Sequence, residues 1–182
     1  FISDFGGDER GDIYRMLADG SALVNLTRST HAETSPRFSP DGSALAYTAD
    51  PDRPFVYQLM VMDLASGLSR RRTFEPVNVH QPVWSPDGKT IAVTRSGDDQ
   101  KGELLLVPAA GGEPRVLEAP VPGGITFAED FSPNGRNLLW RPRNERGFMH
   151  LYLLQRATAK GRFLEPGEWA VEEARWQAGA AI

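Results

Sequence analysis

The sequence predicts an all-β fold built from repeated four-stranded units, and three observations lead to this prediction. The first is a five-residue turn that occurs three times, as FSPDG at 38–42, WSPDG at 84–88 and FSPNG at 131–135. The second is its spacing, because the aromatic residue that opens each copy recurs after 46 and then 47 residues. The third is a short apolar run that begins seven residues after each aromatic.

The turn itself has a composition that favours a β-hairpin. Proline presets φ near −65°, and the Asp or Asn side chain can accept a hydrogen bond from a backbone N–H two residues on. Glycine supplies the left-handed conformation, which costs a residue with a Cβ about 1–2 kcal/mol. We therefore predict a hairpin at each copy, with Gly42, Gly88 and Gly135 in the left-handed region.

The strands of each unit follow from the apolar runs on either side of the turn. Runs that are apolar without alternation are typical of strands buried on both faces. Residues 1–4 and 13–16 fall into the same register one period upstream. The predicted second strands are 45–48, 91–94 and 138–141, the third strands are 59–62, 104–107 and 151–154, and stretches such as 24–27 and 114–117 close a unit.

Four short strands in each period of about 40–50 residues are the signature of a β-propeller. We treat residues 1–182 as one β-propeller segment with about four blades of four antiparallel strands. The predicted blades are a partial blade at 1–28, complete blades at 31–74, 77–118 and 123–165, and a partial blade at 170–182. The rings expected to fill the space between sheets are those of Phe38, Trp84, Phe131 and Trp176.

Two other architectures stay open at this point. The partial units favour an open arc of a larger ring, but Ile182 and Phe1 occupy almost successive positions of the repeat, so a closed four-bladed ring is an alternative. A β-sandwich with regularly spaced strands is another alternative. A sandwich, however, does not require the same turn three times in register.

Composition excludes several classes of protein. The formal net charge of −4 argues against a nucleic-acid partner, and no apolar run approaches the roughly 18 residues of a membrane span. The basic clusters Arg70–Arg72 and Arg141–Arg146 are interpreted as solvated loops. The chain has no Cys, so it holds no disulfide or thiolate metal site, and its compartment, cytoplasmic or periplasmic, is not fixed.

Catalytic and metal motifs are absent from the sequence. No serine lies in a G-x-S-x-G frame, and the three histidines occupy non-equivalent positions of the repeat without metal-ligand spacing. We therefore predict no catalytic residue, no metal site and no cofactor within the chain. The histidines, which are given structural roles, are His31, His80 and His150.

The repeat resembles that of TolB-like propellers and of the N-terminal propellers of the prolyl oligopeptidase family of serine peptidases. The similar stretches are FSPDG and LAYTAD within 38–50, VMDLASG at 61–67 and NLT at 25–27. Two further stretches resemble the peptidases, including their dipeptidyl-peptidase branch: ERGFMHLYL at 145–153 and LEPGEWAV at 164–171. The resemblance covers the whole chain.

In the peptidases the catalytic Ser, Asp and His belong to an α/β-hydrolase domain of the same polypeptide, and the propeller restricts access to short peptides. The resemblance thus implies a hydrolase domain and a peptide substrate as partners. The stretch WAVEE at 169–173 resembles the glutamate pair with which the dipeptidyl-peptidase branch holds a substrate's amino group, which implies that role for Glu172 and Glu173. The alternative is that both face solvent on a terminal strand.

Two functional hypotheses follow from the resemblance. In the first, the chain gates and positions substrates in a serine peptidase, and the chain alone is not an enzyme. In the second, it belongs to a non-catalytic TolB-like propeller that binds a protein partner at the mouth of its channel.

Overall fold

The computed structural model of the chain consists of antiparallel β-sheets, which confirms the predicted all-β class. It describes residues 1–4, 7, 10–96, 102–118, 126–143, 147–164 and 170–177. Within these residues there are fifteen strands and no helix. The alternative of a closed four-bladed ring depends on the position of Ile182, which lies outside the described residues. The division into blades stays a prediction. The residues of the predicted blades that lie outside the described residues are 5–6, 8–9, 97–101, 123–125, 144–146, 165 and 178–182.

The strands form four sheets, and within each sheet the neighbours in space are neighbours in sequence. Every pairing is antiparallel, so each sheet is a meander like a propeller blade. The first sheet contains β1 (Ile2–Ser3), β2 (Asp12–Arg15) and β3 (Val24–Asn25). The second contains β4 (Glu33–Phe38), β5 (Ala44–Ala49), β6 (Gln58–Asp63) and β7 (Ser69–Arg71). The third contains β8 (Asn78–Trp84), β9 (Thr90–Ser96), β10 (Gly102–Pro108) and β11 (Arg115–Glu118). The fourth contains β12 (Thr126–Phe131), β13 (Asn137–Pro142), β14 (Tyr152–Gln155) and β15 (Lys160–Phe163).

The three repeated turns have the predicted geometry. Gly42, Gly88 and Gly135 have φ of 71°, 67° and 68°, which confirms the left-handed conformation. The Asp41 Oδ1 atom accepts hydrogen bonds from the Ser39 hydroxyl at 2.6 Å and from the Ser43 N–H at 3.0 Å. The Ser39 hydrogen bond is the main reason that the pKa of Asp41 falls to about 2. The other two copies repeat these contacts.

The core lies between the sheets, because alternate residues of a central strand pack against different neighbours. On β5, Leu45 and Tyr47 join the cluster with Ile13 of the first sheet, while Ala46 joins the cluster with Ile91 of the third. A further cluster, which includes Leu104 and Trp140, joins the third sheet to the fourth. Burial on both faces explains why these strands are apolar without alternation.

The aromatic residues before the turns only partly follow the prediction that they fill the space between sheets. Phe131 is buried at 3% exposure, and Trp84 lies partly buried with its Nε1 donating to the carbonyl oxygen of Arg37 at 3.0 Å. For Phe38 the prediction is wrong, because 53% of the residue is exposed. Trp84 and Trp176 contact the first strand of the preceding sheet. For Phe38 no such contact with a preceding first strand is recorded among the described residues, and its ring lines a surface cavity.

The segment 170–177 occupies the place of the first strand of a further unit. The Val171 N–H donates to the Met149 carbonyl oxygen at 2.7 Å, as the Val79 N–H does to Tyr57 at 2.9 Å. The segment pairs with no second strand among the described residues and is therefore not itself a β-strand. Only its connection to the preceding sheet matches the repeat.

Candidate functional site

The first strands of successive sheets lie side by side, with β4 against β8 and β8 against β12. Together with the segment 170–177 they line a cavity of about 520 Å³, which we call the inner-strand cavity. Charged side chains of both signs line it. These charged residues include Arg37, Glu129, Arg141, Glu172, Glu173 and Arg175.

Each of the three first strands contains a β-bulge where it approaches this cavity. The pairing register with the second strand shifts within β4, β8 and β12. Ser35 and Gln81, at the first two bulges, have positive φ of 56° and 49°. A bulge bends the strand and changes the direction of the side chains beyond it. Arg37, which follows the bulge in β4, lines the cavity.

A buried ion pair lies beneath one side of the cavity. The Nε atom of Arg141 is 2.6 Å from the Oε1 atom of Glu129, and the two side chains are 13% and 5% exposed. The guanidinium of Arg141 also lies over the Phe127 ring, 4.9 Å from its centroid, and Nη1 donates to the Val171 carbonyl oxygen at 3.1 Å. The interpretation of Arg141–Arg146 as a solvated loop is therefore wrong for Arg141, because β13 directs it toward a buried carboxylate; residues 144–146 lie outside the described residues.

Two adjacent acidic residues of β12 fix the segment 170–177 in place. The Glu129 Oε2 atom accepts from the Ala174 N–H at 3.4 Å, and the Glu129 carbonyl oxygen accepts from Nη1 of Arg175 at 2.9 Å. Asp130 accepts from both nitrogens of Trp176, the backbone N–H at 3.0 Å and the indole Nε1 at 3.2 Å. The segment is thus held on both sides of its own acidic pair, by Arg141 before it and by β12 after it.

Glu172 and Glu173, the predicted substrate-binding pair, both line the inner-strand cavity. Adjacent residues of a regular strand point to opposite faces. Because this segment is not a regular strand, its adjacent side chains can both face the cavity. The Glu173 Oε1 atom lies 2.9 Å from Nη2 of Arg175. Glu172 forms no hydrogen bond or ion pair with a described residue. Among the described residues, Glu173 therefore has a charged partner and Glu172 has none.

Arg37 supplies a positive charge on the other side of the cavity, with β8 and β12 between it and the acidic pair. Its Nη1 donates to the Pro36 carbonyl oxygen at 3.0 Å, and no described carboxylate pairs with it. Sequence reasoning did not identify this residue or Glu129. The equivalent positions of Arg37 are Val83, Asp130 and Arg175, so an arginine recurs at this position in one of the three other units.

The remaining candidate groups do not assemble into a catalytic or metal centre. No three His, Asp or Glu side chains of the described chain form a cluster that could hold a metal ion. The Nε2 atom of His80 lies 3.3 Å from the Ser96 hydroxyl, and burial lowers the pKa of His80. His150 is buried, with its ring edge-on to Phe163 at a centroid distance of 6.1 Å. As for membrane spans, the described residues contain no helix with the length and apolar character to form one.

Curated relatives of the chain include both peptidases and TolB proteins. The chain is 40% identical over 84 residues to the uncharacterized peptidase YuxL of Bacillus subtilis, covering 46% of this chain and 12% of YuxL. It is 38% identical over 139 residues to a TolB homologue of Chlorobium luteolum, covering 76% of this chain and 30% of that protein. The chain therefore spans less than a third of the length of either relative.

Solved structures of both kinds share the fold. TolB from Acinetobacter baumannii matches with a TM-score of 0.72 at 21% identity, over 88% of this chain and 39% of TolB. A prolyl endopeptidase matches with a TM-score of 0.66 at 16% identity, over 87% of this chain and 26% of the peptidase. These low identities show a common fold alone.

The TolB beta propeller domain family matches residues 5–178, which is nearly the whole chain. This agrees with the four meander sheets, the repeated turn and the buried central strands described above. The chain belongs to the TolB beta propeller domain family.

Proposed function

We propose that the chain is the propeller part of a prolyl-oligopeptidase-family serine peptidase, where it gates and positions short peptides for an α/β-hydrolase domain of the same polypeptide. The observation that carries the proposal is that Glu172 and Glu173 line one cavity at the first strands. Carboxylates in such a position can accept charge-assisted hydrogen bonds from a substrate's amino group. The 40% identity to YuxL supports a peptidase.

The amino group of the substrate binds first to Glu172, whose carboxylate has no partner among the described residues. Glu173 also contacts the amino group, so its carboxylate interacts with both the substrate and Arg175. The Glu173 Oε1 atom lies 2.9 Å from Nη2 of Arg175. The hydrogen bonds from Ala174 and Trp176 to β12 order the segment before the substrate arrives. Less conformational entropy is therefore lost on binding, which favours both affinity and a defined position of the peptide.

The chain's part in the reaction is to place the peptide, and the nucleophile belongs to the hydrolase domain. A cavity of about 520 Å³ suits a small ligand, since binding pockets commonly measure about 300–1,000 Å³. A folded protein is far too large to enter it. This restriction is the gating role that we assign to the propeller.

A fluorophosphonate probe, which reacts with an activated serine, tests the proposal. We expect labelling of the full-length polypeptide and none of the 182-residue chain. Replacement of the labelled serine by alanine in the full-length protein is the matched control and should abolish labelling. Labelling of the 182-residue chain would contradict the assignment of catalysis to another domain.

A second candidate is a non-catalytic TolB-like propeller that mediates a protein–protein interaction. The observation that favours it is the length of the TolB match, 139 residues at 38% identity compared with 84 residues for the peptidase. A full-length protein that is folded but unlabelled by the probe would favour this candidate. Glu172 and Glu173 would then have no assigned ligand.

A further inference from the structure

We propose that Arg37 is a carboxylate subsite of the inner-strand cavity, so that the preferred ligands are short peptides with free amino and carboxyl ends. The proposal rests on the proposed function, because it takes Glu172 and Glu173 as the subsite for the amino end. It adds a second point of recognition and with it a class of substrate.

Most of the charged groups around the cavity already have partners. Glu129 and Arg141 neutralise each other in the buried ion pair, and Glu173 pairs with Arg175. Asp130 accepts two hydrogen bonds from Trp176, one of them at its carboxylate. Two charged groups are left without a pairing partner among the described residues that line the cavity: Arg37 and Glu172.

These two groups have opposite signs and lie on different walls. Arg37 belongs to β4, Glu172 belongs to the segment 170–177, and β8 and β12 lie between them. The two charges therefore do not neutralise each other, and a ligand between them meets an acceptor at one end and a donor at the other. A peptide with both ends free has the complementary arrangement, an ammonium at one end and a carboxylate at the other.

The chemistry of Arg37 suits a carboxylate in particular. Nη1 donates to the Pro36 carbonyl oxygen at 3.0 Å, and Nε and Nη2 have no acceptor among the described residues. Two parallel N–H donors of a guanidinium match the two oxygens of a carboxylate. The backbone beneath is fixed, because the Arg37 carbonyl oxygen accepts from the Trp84 indole at 3.0 Å. The fork is therefore presented from a stable position.

Peptide length enters the recognition because both ends are held. An extended chain advances about 3.3–3.6 Å per residue, so each added residue moves the carboxylate by that distance from the amino subsite. A peptide longer than the cavity must bend to place its carboxylate at Arg37 while its amino group contacts Glu172, and this bending costs conformational entropy. We therefore expect affinity for unsubstituted glycine peptides to pass through a maximum at a short length.

Isothermal titration calorimetry of the chain with three probes tests the subsite: triglycine, triglycine amide, which lacks the carboxylate, and acetyl-triglycine, which lacks the amino group. We expect triglycine to bind at least about fivefold more tightly than its amide, a modest factor because Arg37 is exposed and water screens the pairing. Arg37→Gln should remove this difference without weakening the amide. Arg37→Lys, which keeps the charge and loses the fork, should retain part of it.

Arg15→Gln is the matched control, since Arg15 is an exposed arginine on β2, away from the cavity. Thermal unfolding of Arg37→Gln confirms that the variant is folded. If the wild-type chain binds triglycine and its amide with equal affinity, the proposed carboxylate subsite is wrong. It is also wrong if Arg37→Gln weakens the binding of both peptides by the same factor. Acetyl-triglycine binding as tightly as triglycine contradicts the amino subsite of the proposed function, while the amide comparison still decides the role of Arg37. Absence of binding by all three contradicts both.

Discussion

Arg141 and Glu129 form an ion pair with a nitrogen-to-oxygen distance of 2.6 Å, and the same two side chains hold the segment that carries the candidate acidic pair. Arg141 binds the carbonyl oxygen of Val171, and Glu129 binds the N–H of Ala174. The stability of the fourth sheet and the position of the candidate site therefore depend on one buried contact.

Arg141→Met should lower the free energy of unfolding by about 3 kcal/mol, because it leaves the buried Glu129 carboxylate without its partner. Urea denaturation measures the change. Arg15→Met is the control and should change stability by less than about 0.5 kcal/mol. Combining Arg141→Met with Glu129→Leu should recover part of the loss, since no buried charge remains. A loss below about 1 kcal/mol in the single variant would contradict the burial of the pair.

Gly88→Val should destabilise the chain by more than about 1 kcal/mol, because Gly88 has φ of 67° and a residue with a Cβ is strained there. Crowding does not contribute, since the contact nearest to a built Cβ is Pro40 Cδ at 4.0 Å. Gly88→Asn is the matched variant and should lose less, because Asn tolerates the left-handed region. Equal denaturation midpoints of the valine variant and the wild type would contradict the expected backbone strain at this position.

Glu33 should make the stability of the chain depend on pH. The residue is 4% exposed, and burial raises its pKa from 4.5 to about 7; the Ser29 hydroxyl opposes the shift, and the Asp12 carboxylate adds to it. Between pH 4.5 and 7 the unfolded chain loses a proton that the folded chain keeps, so the free energy of unfolding falls as pH rises. We expect a fall of about 2 kcal/mol across this window.

Urea denaturation at a series of pH values measures this dependence, and Glu33→Gln should remove it because an amide does not titrate. Glu113→Gln, which changes an exposed glutamate, should leave the dependence intact. If the Glu33→Gln variant shows the same fall in stability as the wild type, the raised pKa belongs to another group.

Replacing Glu172 by Gln should weaken binding of peptides with a free amino end by about tenfold, the approximate value of a charge-assisted contact. Glu173→Gln should have a smaller effect, because Glu173 already shares its charge with Arg175. Calorimetric titration with triglycine measures both, with Glu113→Gln as control. An equal loss of affinity for acetylated peptides would mean that the pair supports the fold and does not recognise the amino group.

The fold could largely be predicted from sequence because its determinants are local. The glycine conformations at 42, 88 and 135 follow from the turn chemistry of a few adjacent residues, and the second and third strands follow from short apolar runs. Phe38 shows where local reasoning fails, because the burial of its ring depends on contacts between sheets and not on the adjacent turn. The candidate site could be predicted only in part: resemblance indicated Glu172 and Glu173, but the sequence does not show that Arg37 and Glu129 line the same cavity.

The sequence by itself determined the all-β class, the repeating unit and the turns, since proline, glycine and apolar runs act over a few residues of chain. Which charged side chains pair with one another among the described residues follows from the packing of the sheets. Glu129 and Arg141 are twelve residues apart, and the contacts from Glu129 and Asp130 to the segment 170–177 span about 45 residues. The physical reason is that charge pairing depends on distances between side chains, and these distances are set by how the sheets pack against each other.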